Sequence, residues 1–170
     1  MERKAQFDDL VESIGVAMMT TRAADGHLRS RAMANQKRAD GADLWFVTDA
    51  ESAKIQDLTG DPHLNLAYYK DGSREWISIS GVATVTKNRE KIRELYAEDW
   101  KMWFRDDGRE NDPTAGTIDD PRLTLIGVQM HHAAFFAVDQ PLPVVMYELA
   151  KGWLTGDAPD LGEVKTIGRP

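Results

Sequence analysis

The chain has 170 residues, 42% of them hydrophobic and 29% charged, and it contains no cysteine. That suits one soluble globular domain with room for a core, and it excludes disulfides, thiolate catalysis, zinc–thiolate sites and iron–sulfur ligation together. Acidic side chains outnumber basic ones 28 to 21, a formal charge of −7, so nucleic acid is not an expected partner and any bound anion needs a small local grip. No apolar run approaches the ~18 residues of a membrane span. The polar start Met1-Glu2-Arg3-Lys4 has no signal-peptide pattern, so a cytoplasmic protein is expected.

Phe7, Leu10, Val11 and Ile14 recur at helical spacing and predict a short amphipathic helix ended by Gly15. Val16 to Thr21 is a β-branched and apolar run. Asp25-Gly26 then predicts a hairpin turn, its two central positions both tolerating positive φ, with a return strand from His27 to about Lys37. Leu44-Trp45-Phe46-Val47-Thr48 reads as a third strand. Ile55 and Leu58 predict a helix over 49–58 with Asp49 as its N-cap. Two more strands, Leu64–Tyr69 and Trp76–Val85, flank an Asp71-Gly72-Ser73 turn.

Asn88 is a predicted cap for a second helix carrying Ile92, Leu95, Tyr96, Trp100 and Trp103 along one stripe. Arg105 to Pro121 reads as a long loop, of the kind often tied to function. Arg122–Met130 and Ala133–Val138 complete the strands, and Val144–Ala150 predicts a last helical turn or two. Hairpin connections throughout predict a mainly β fold: a six- or seven-stranded antiparallel barrel with short peripheral helices. One domain is expected over 1–150, with a glycine- and proline-containing tail over 151–170.

The second strand is the most unusual segment. Its two-residue period puts Arg29, Arg31, Met33 and Asn35 on one face, and Leu28, Ser30, Ala32 and Ala34 on the other. Two guanidinium groups side by side repel unless an anion or a carboxylate lies between them. Arginine suits phosphate because its planar fork donates bidentately; exposed arginines in surface ion pairs are the plain alternative. Thr48 ends the third strand, with Ser52 and Lys54 on the first turn of the following helix. Free N–H groups there attract phosphate, and a hydroxyl and a lysine strengthen the site. Ordinary N-capping by Asp49 or Ser52 is the alternative.

Other candidates carry less. His131 and His132 are neighbours on a strand and cannot chelate together, and His27 and His63 have no acidic or histidine neighbour at ligand spacing. The Trp100, Met102, Trp103, Phe104 cluster suits either a cofactor lid or a core or dimer contact. Asp106-Asp107 and Asp119-Asp120 fit a solvated loop as well as an acid–base or cation site. No phosphate-loop, dinucleotide or zinc-protease motif is present.

The segments Arg29-Ser30-Arg31-Ala32-Met33, Leu44–Asp49, Ser52-Ala53-Lys54, Trp76–Gly81, Trp103-Phe104 and Pro121–Ile126, in that order, resemble the flavin-binding split-barrel superfamily that includes pyridoxamine 5'-phosphate oxidase. Within it they resemble the general stress protein 26 group, over roughly residues 7–138. The resemblance implies a split barrel that forms a homodimer with flavin mononucleotide (FMN) at the subunit interface. It further implies that Arg29, Ser30, Arg31, Ala32 and Met33 line the ring edge and phosphate. Thr48, Ser52 and Lys54 would hold the phosphate, with Phe46, Val47 and Trp103 completing the cofactor set. The loop after the second helix would reach over from the partner.

Residues 134–143 hold no arginine or histidine, unlike the basic segment with which pyridoxamine phosphate oxidases grip their substrate phosphate. Vitamin B6 oxidation is therefore not expected. Ala53 stands where some relatives have arginine. The expected activity is FMN-dependent, stress-related oxidation or reduction of a small molecule. The alternatives are a non-catalytic flavin carrier, or the same barrel with deazaflavin or haem.

Overall fold

The computed structural model describes residues 2–104, 111–138, 140–158 and 162–168. The elements in chain order are α1 (Glu2–Ile14), β1 (Val16–Arg22), β2 (Leu28–Ala34), β3 (Leu44–Asp49), α2 (Ala53–Gly60), β4 (His63–Lys70), β5 (Glu75–Thr86), α3 (Arg89–Leu95), α4 (Trp100–Phe104), β6 (Leu123–Phe136), α5 (Leu142–Thr155) and β7 (Val164–Gly168). The seven strands form one antiparallel sheet in the order β2-β1-β4-β5-β6-β3, with β7 also on β6. β2 and β3 end the path without a ladder between them. The Gln36 N–H reaches the Trp45 carbonyl at 2.8 Å, so the curled sheet is an open, split barrel.

Strand β6 organises this arrangement. Its 14 residues pair with β5 along most of their length, with β3 from Leu123 to Val128, and with β7 from His132 to Phe136. A bulge in the β5–β6 ladder falls at Ser80/Gly81. A β-carbon on Gly81 would lie 2.5 Å from the Gln129 carbonyl oxygen, so only glycine allows the backbones to close there.

Two apolar clusters hold the fold. The larger fills the barrel with Met19, Phe46, Leu66, Tyr68, Ile77, Ile79 and Phe135, capped by Phe7, Leu10 and Val11 of α1. Phe7 meets Phe135 edge-on with ring centres 5.7 Å apart. The smaller lies outside the sheet, where Ile92, Leu95, Trp100 and Phe104 of α3 and α4 pack on Trp45, Leu123 and Leu125. β3 and the Leu123–Val128 half of β6 are therefore covered on both faces, which accounts for their mostly apolar sequences.

Several expectations are revised. The β1–β2 turn forms, but only Gly26 has positive φ; the Gly26 N–H to Ala23 carbonyl bond makes it a four-residue turn whose glycine alone is left-handed. Asp49 belongs to β3 and accepts the Glu51 N–H at 2.7 Å, so α2 begins later with Ser52 at its N-cap. Asn88 does cap α3, accepting from the Glu90 and Lys91 N–H groups. The single long helix divides, however, because Tyr96 turns to extended backbone, and α4 restarts at Trp100. The two C-terminal strands are one, β6. The short helix expected over 144–150 runs from 142 to 155. Residues 164–168, expected in a tail beyond the domain, pair with β6 as β7.

Candidate functional site

A cleft of about 410 Å³ opens between the β2 and β3 ends of the sheet, α2 and α4. Its walls are mostly apolar, with Val16, Ala32, Met33 and Ala34 on one side and Val47, Trp100, Trp103 and Phe104 on the other. Thr48, Ser52 and Lys54 form one polar end, Asp49 lies beside them, and Gln36 and Asp99 complete the lining. Volume and composition lie in the range of small-molecule and cofactor sites.

The polar end is built by the turn from β3 into α2. Lys54 donates to the Thr48 hydroxyl at 2.8 Å, and Thr48 and Ser52 hydroxyls are 3.2 Å apart. Although Ser52 is the N-cap residue of α2, its side chain makes no capping hydrogen bond. It turns to Thr48 instead, so no Ser52 hydroxyl occupies the first-turn N–H groups of α2. Lys54 is half-buried, and no carboxylate lies within ion-pair distance of it among the described residues. Burial, then the neighbouring Arg31 charge, pushes its ammonium below the usual lysine value, against a smaller opposing pull from Asp49. An under-neutralised ammonium, two hydroxyls and an uncapped helix start together describe a seat for a phosphate-sized anion.

Arg29 and Arg31 are not in the cleft lining. They share a face with buried Met33, as the strand period requires, but this face turns beneath α2, where Asp57 sits between them. The buried Asp57 carboxylate lies 3.3 Å from Arg31 and 3.8 Å from Arg29, and it accepts the Thr21 hydroxyl at 2.8 Å. Arg31 also donates to Thr21. The counter-charge that two adjacent arginines demand thus comes from α2 for Arg31, and from α2 and Asp25 of the β1–β2 turn, 3.5 Å away, for Arg29.

The other candidates separate cleanly. Ala32, Met33, Val47, Thr48, Ser52, Lys54 and Trp103 line the cleft. Phe46 is fully buried in the barrel core. Ser30 lies on the outer face, its hydroxyl 2.5 Å from that of Thr20. Arg31 acts on the cleft only through its charge at Lys54. Trp103 shares the lining with Trp100 but is 77% exposed, at the mouth. All four histidines are exposed; His27 and His63 do meet carboxylates, Asp25 at 3.4 Å and Asp61 at 2.8 Å, each two residues earlier. No three metal-ligating side chains converge among the described residues. The Asp106-Asp107 pair lies outside them, and Asp120 is no solvated loop residue.

Asp120 is buried and bonded to Arg122, 2.7 Å away, and to the Gly116 N–H at 2.7 Å. Burial opposes its ionisation, but these hydrogen bonds and the Arg122 charge outweigh it and hold the carboxyl below its usual value. Arg122 also donates to the Phe104 carbonyl and stacks on the Phe104 ring, 5.5 Å from its centre. The pair therefore fastens α4, one wall of the cleft, to the start of β6. Sequence reading missed this role and those of Val16, Ala34, Gln36, Asp49 and Asp99 in the lining, while Trp100 and Phe104, weighed as a cofactor lid or a core contact, are both buried and in the lining. For Asp57 a signal existed: it stands three residues after Lys54, on the same side of α2 as Leu58.

Residues 2–160 match the model of the pyridoxamine 5'-phosphate oxidase like family. The chain belongs to that family. Protein bli-3 of Neurospora crassa is 33% identical over 155 residues, covering 89% of this chain and 72% of that protein. Among solved structures, a chain described as a general stress protein 26, from Jannaschia sp. CCS1, superposes with a TM-score of 0.75 at 21% identity over 99% of both chains. The general stress FMN/FAD binding protein of Xanthomonas citri gives 0.65 at 24% identity, over 83% of this chain and 92% of that one. At these identities the structures establish the shared split-barrel fold of this pyridoxamine phosphate oxidase-like chain. Among its described residues no helix is long and apolar enough to cross a membrane.

Proposed function

We propose that the chain binds FMN in the cleft and serves as a flavin-dependent oxidoreductase for a small molecule, working as a homodimer with the cleft at the subunit interface. The observation that carries this reading is the polar end of the cleft: Lys54, with no carboxylate partner among the described residues, beside Thr48, Ser52 and the start of α2, which has no side-chain cap. A phosphate monoester supplies the missing charge and accepts from all of these groups. One lysine with two hydroxyls suits a single terminal phosphate, which favours a mononucleotide over a dinucleotide. The apolar walls offer Val16, Met33, Val47, Trp100 and Phe104 to a flat ring system. The name of the Xanthomonas citri structure, an FMN/FAD binding protein, points the same way.

Bound flavin would supply electron and hydride transfer; the protein's task is to hold, orient and shield it. Lys54 anchors the phosphate end, the apolar walls exclude water from the ring, and Trp103 at the mouth bounds the space left for a substrate. With Lys54 engaged and Arg29 and Arg31 paired with Asp25 and Asp57, the lining has no second cation for a phosphorylated substrate among the described residues. Vitamin B6 phosphate oxidation is thereby disfavoured. Haem is disfavoured too, since no histidine lines the cleft.

The test is titration of flavin-free protein with FMN and with riboflavin, which lacks the phosphate. FMN is expected to bind at least tenfold more tightly; equal affinities, or none, overturn the reading. Anaerobic mixing of the loaded protein with reduced nicotinamide then separates enzyme from carrier. Bleaching at a catalytic rate supports the oxidoreductase, and an inert yellow protein supports the carrier.

A further inference from the structure

Helix α5 is unlike every other helix in the molecule. Its sequence, LPVVMYELAKGWLT, carries two charged residues, Glu148 and Lys151, which pair with each other at 3.4 Å. Apolar side chains lie all round it, the pattern of a buried helix. Yet Met146, Tyr147, Leu149 and Leu154 are exposed, and Trp153 is 87% exposed. The helix is the body of an excursion between β6 and β7, whose roots are fixed where Phe136 pairs with Val164. A lone helix of 14 residues is marginal in water, so α5 needs something to cover it.

A second apolar surface is equally uncovered. The outer face of β1 and β2 presents Val16, Met18, Leu28, Ala32 and Ala34, and Tyr69 continues it on β4. Val16, Ala32 and Ala34 also line the cleft, so this face runs into the cleft without a break. We propose that α5 is an arm that docks on a second copy of this chain, across the outer face of β1, β2 and β4 beside the cleft. The proposal rests on the two-copy reading above and names the element that makes the grip. A two-fold axis lets each copy's arm cover the other's sheet, satisfying both bare surfaces with one symmetric contact. The exposed parts of Met146, Tyr147, Trp153, Leu154, Met18, Leu28 and Tyr69 come to roughly 900 Å² per copy, above the about 800 Å² per partner of a standard stable interface.

Sedimentation of the flavin-free full-length chain over a range of concentrations tests this, with hydrogen exchange of α5 followed on the same samples. The parent is expected to be a dimer, with α5 amides protected only at concentrations where the dimer forms. Met146→Glu with Trp153→Glu, and separately Met18→Glu with Tyr69→Glu, should each weaken dimerisation at least tenfold. All four side chains are exposed, so the barrel's far-ultraviolet circular dichroism and melting at low concentration should be retained. A dimer unaffected by the α5 pair overturns the arm while leaving the two-copy reading standing; so does α5 protection independent of concentration, which means it folds back on its own sheet. A parent that stays monomeric overturns both. None of these readings depends on flavin.

Discussion

Two cationic groups meet at α2, one from β2 and one on the helix itself, and they differ in where their counter-charge comes from. Arg31 looks inward to Asp57, a buried carboxylate of the same chain, with Thr21 bonded to both, while Arg29 lies between Asp57 and the exposed Asp25. Lys54, one turn before Asp57, has a hydroxyl partner and, among the described residues, no carboxylate within ion-pair distance. The first group is closed by folding and acts as structure. The second is left for a ligand. A count of basic residues ranks the paired arginines above the single lysine, whereas the geometry reverses that order.

Removing the carboxylate should break the closed group most severely. Asp57→Ala leaves Arg31 beneath α2 without its counter-ion, and breaking such a pair typically costs about 3 kcal/mol or more. The thermal midpoint of the flavin-free protein should fall by about 10 °C, read by circular dichroism; an unchanged midpoint means the group is not structural. Lys54→Ala should do the opposite. FMN affinity should weaken by about tenfold to a hundredfold, the scale of a charge-assisted hydrogen bond, while the melt of the flavin-free protein stays level or rises. Equal FMN affinity in variant and parent would erase the distinction between the two groups.

The smallest effect is one of pH. Burial and then Arg31 lower the Lys54 value in the free protein, and a bound phosphate raises it again. Binding therefore takes up a proton at alkaline pH. Affinity should be full while free Lys54 is protonated and should decline as pH rises through its lowered value. In the flavin-free fold the sign reverses, since a buried ammonium costs stability that is recovered as the proton leaves. Lys54→Arg, which does not titrate in this range, should flatten the alkaline decline in FMN titrations.

Much of this was legible in local sequence. The alternation along β2 assigned its two faces, and the step from β3 into a helix start placed Thr48, Ser52 and Lys54 together. Asn88 announced its helix. What escaped depends on residues far apart in the chain. Asp57 meets Arg31 across 26 positions, so its place beside Leu58 on α2 marks it as buried but does not say which cation it faces. The spacing puts Trp103 on one stripe with Trp100, but in the separate short helix α4 Trp100 is buried and Trp103 is exposed at the mouth. β7 is a short segment, Val164–Gly168, with little apolar pattern, and its strand character comes from the open edge that β6 offers.

That dependence on β6 bears on how the chain reaches its native state. Leu44 must find Val128, and Phe136 must find Val164, so one strand waits for neighbours on both sides of it in sequence. Closing such long loops before any reward arrives makes for slow, late assembly. Until then the largely apolar residues 123–128 face solvent as an aggregation-prone stretch, so yield on refolding should depend on how quickly β3 reaches them.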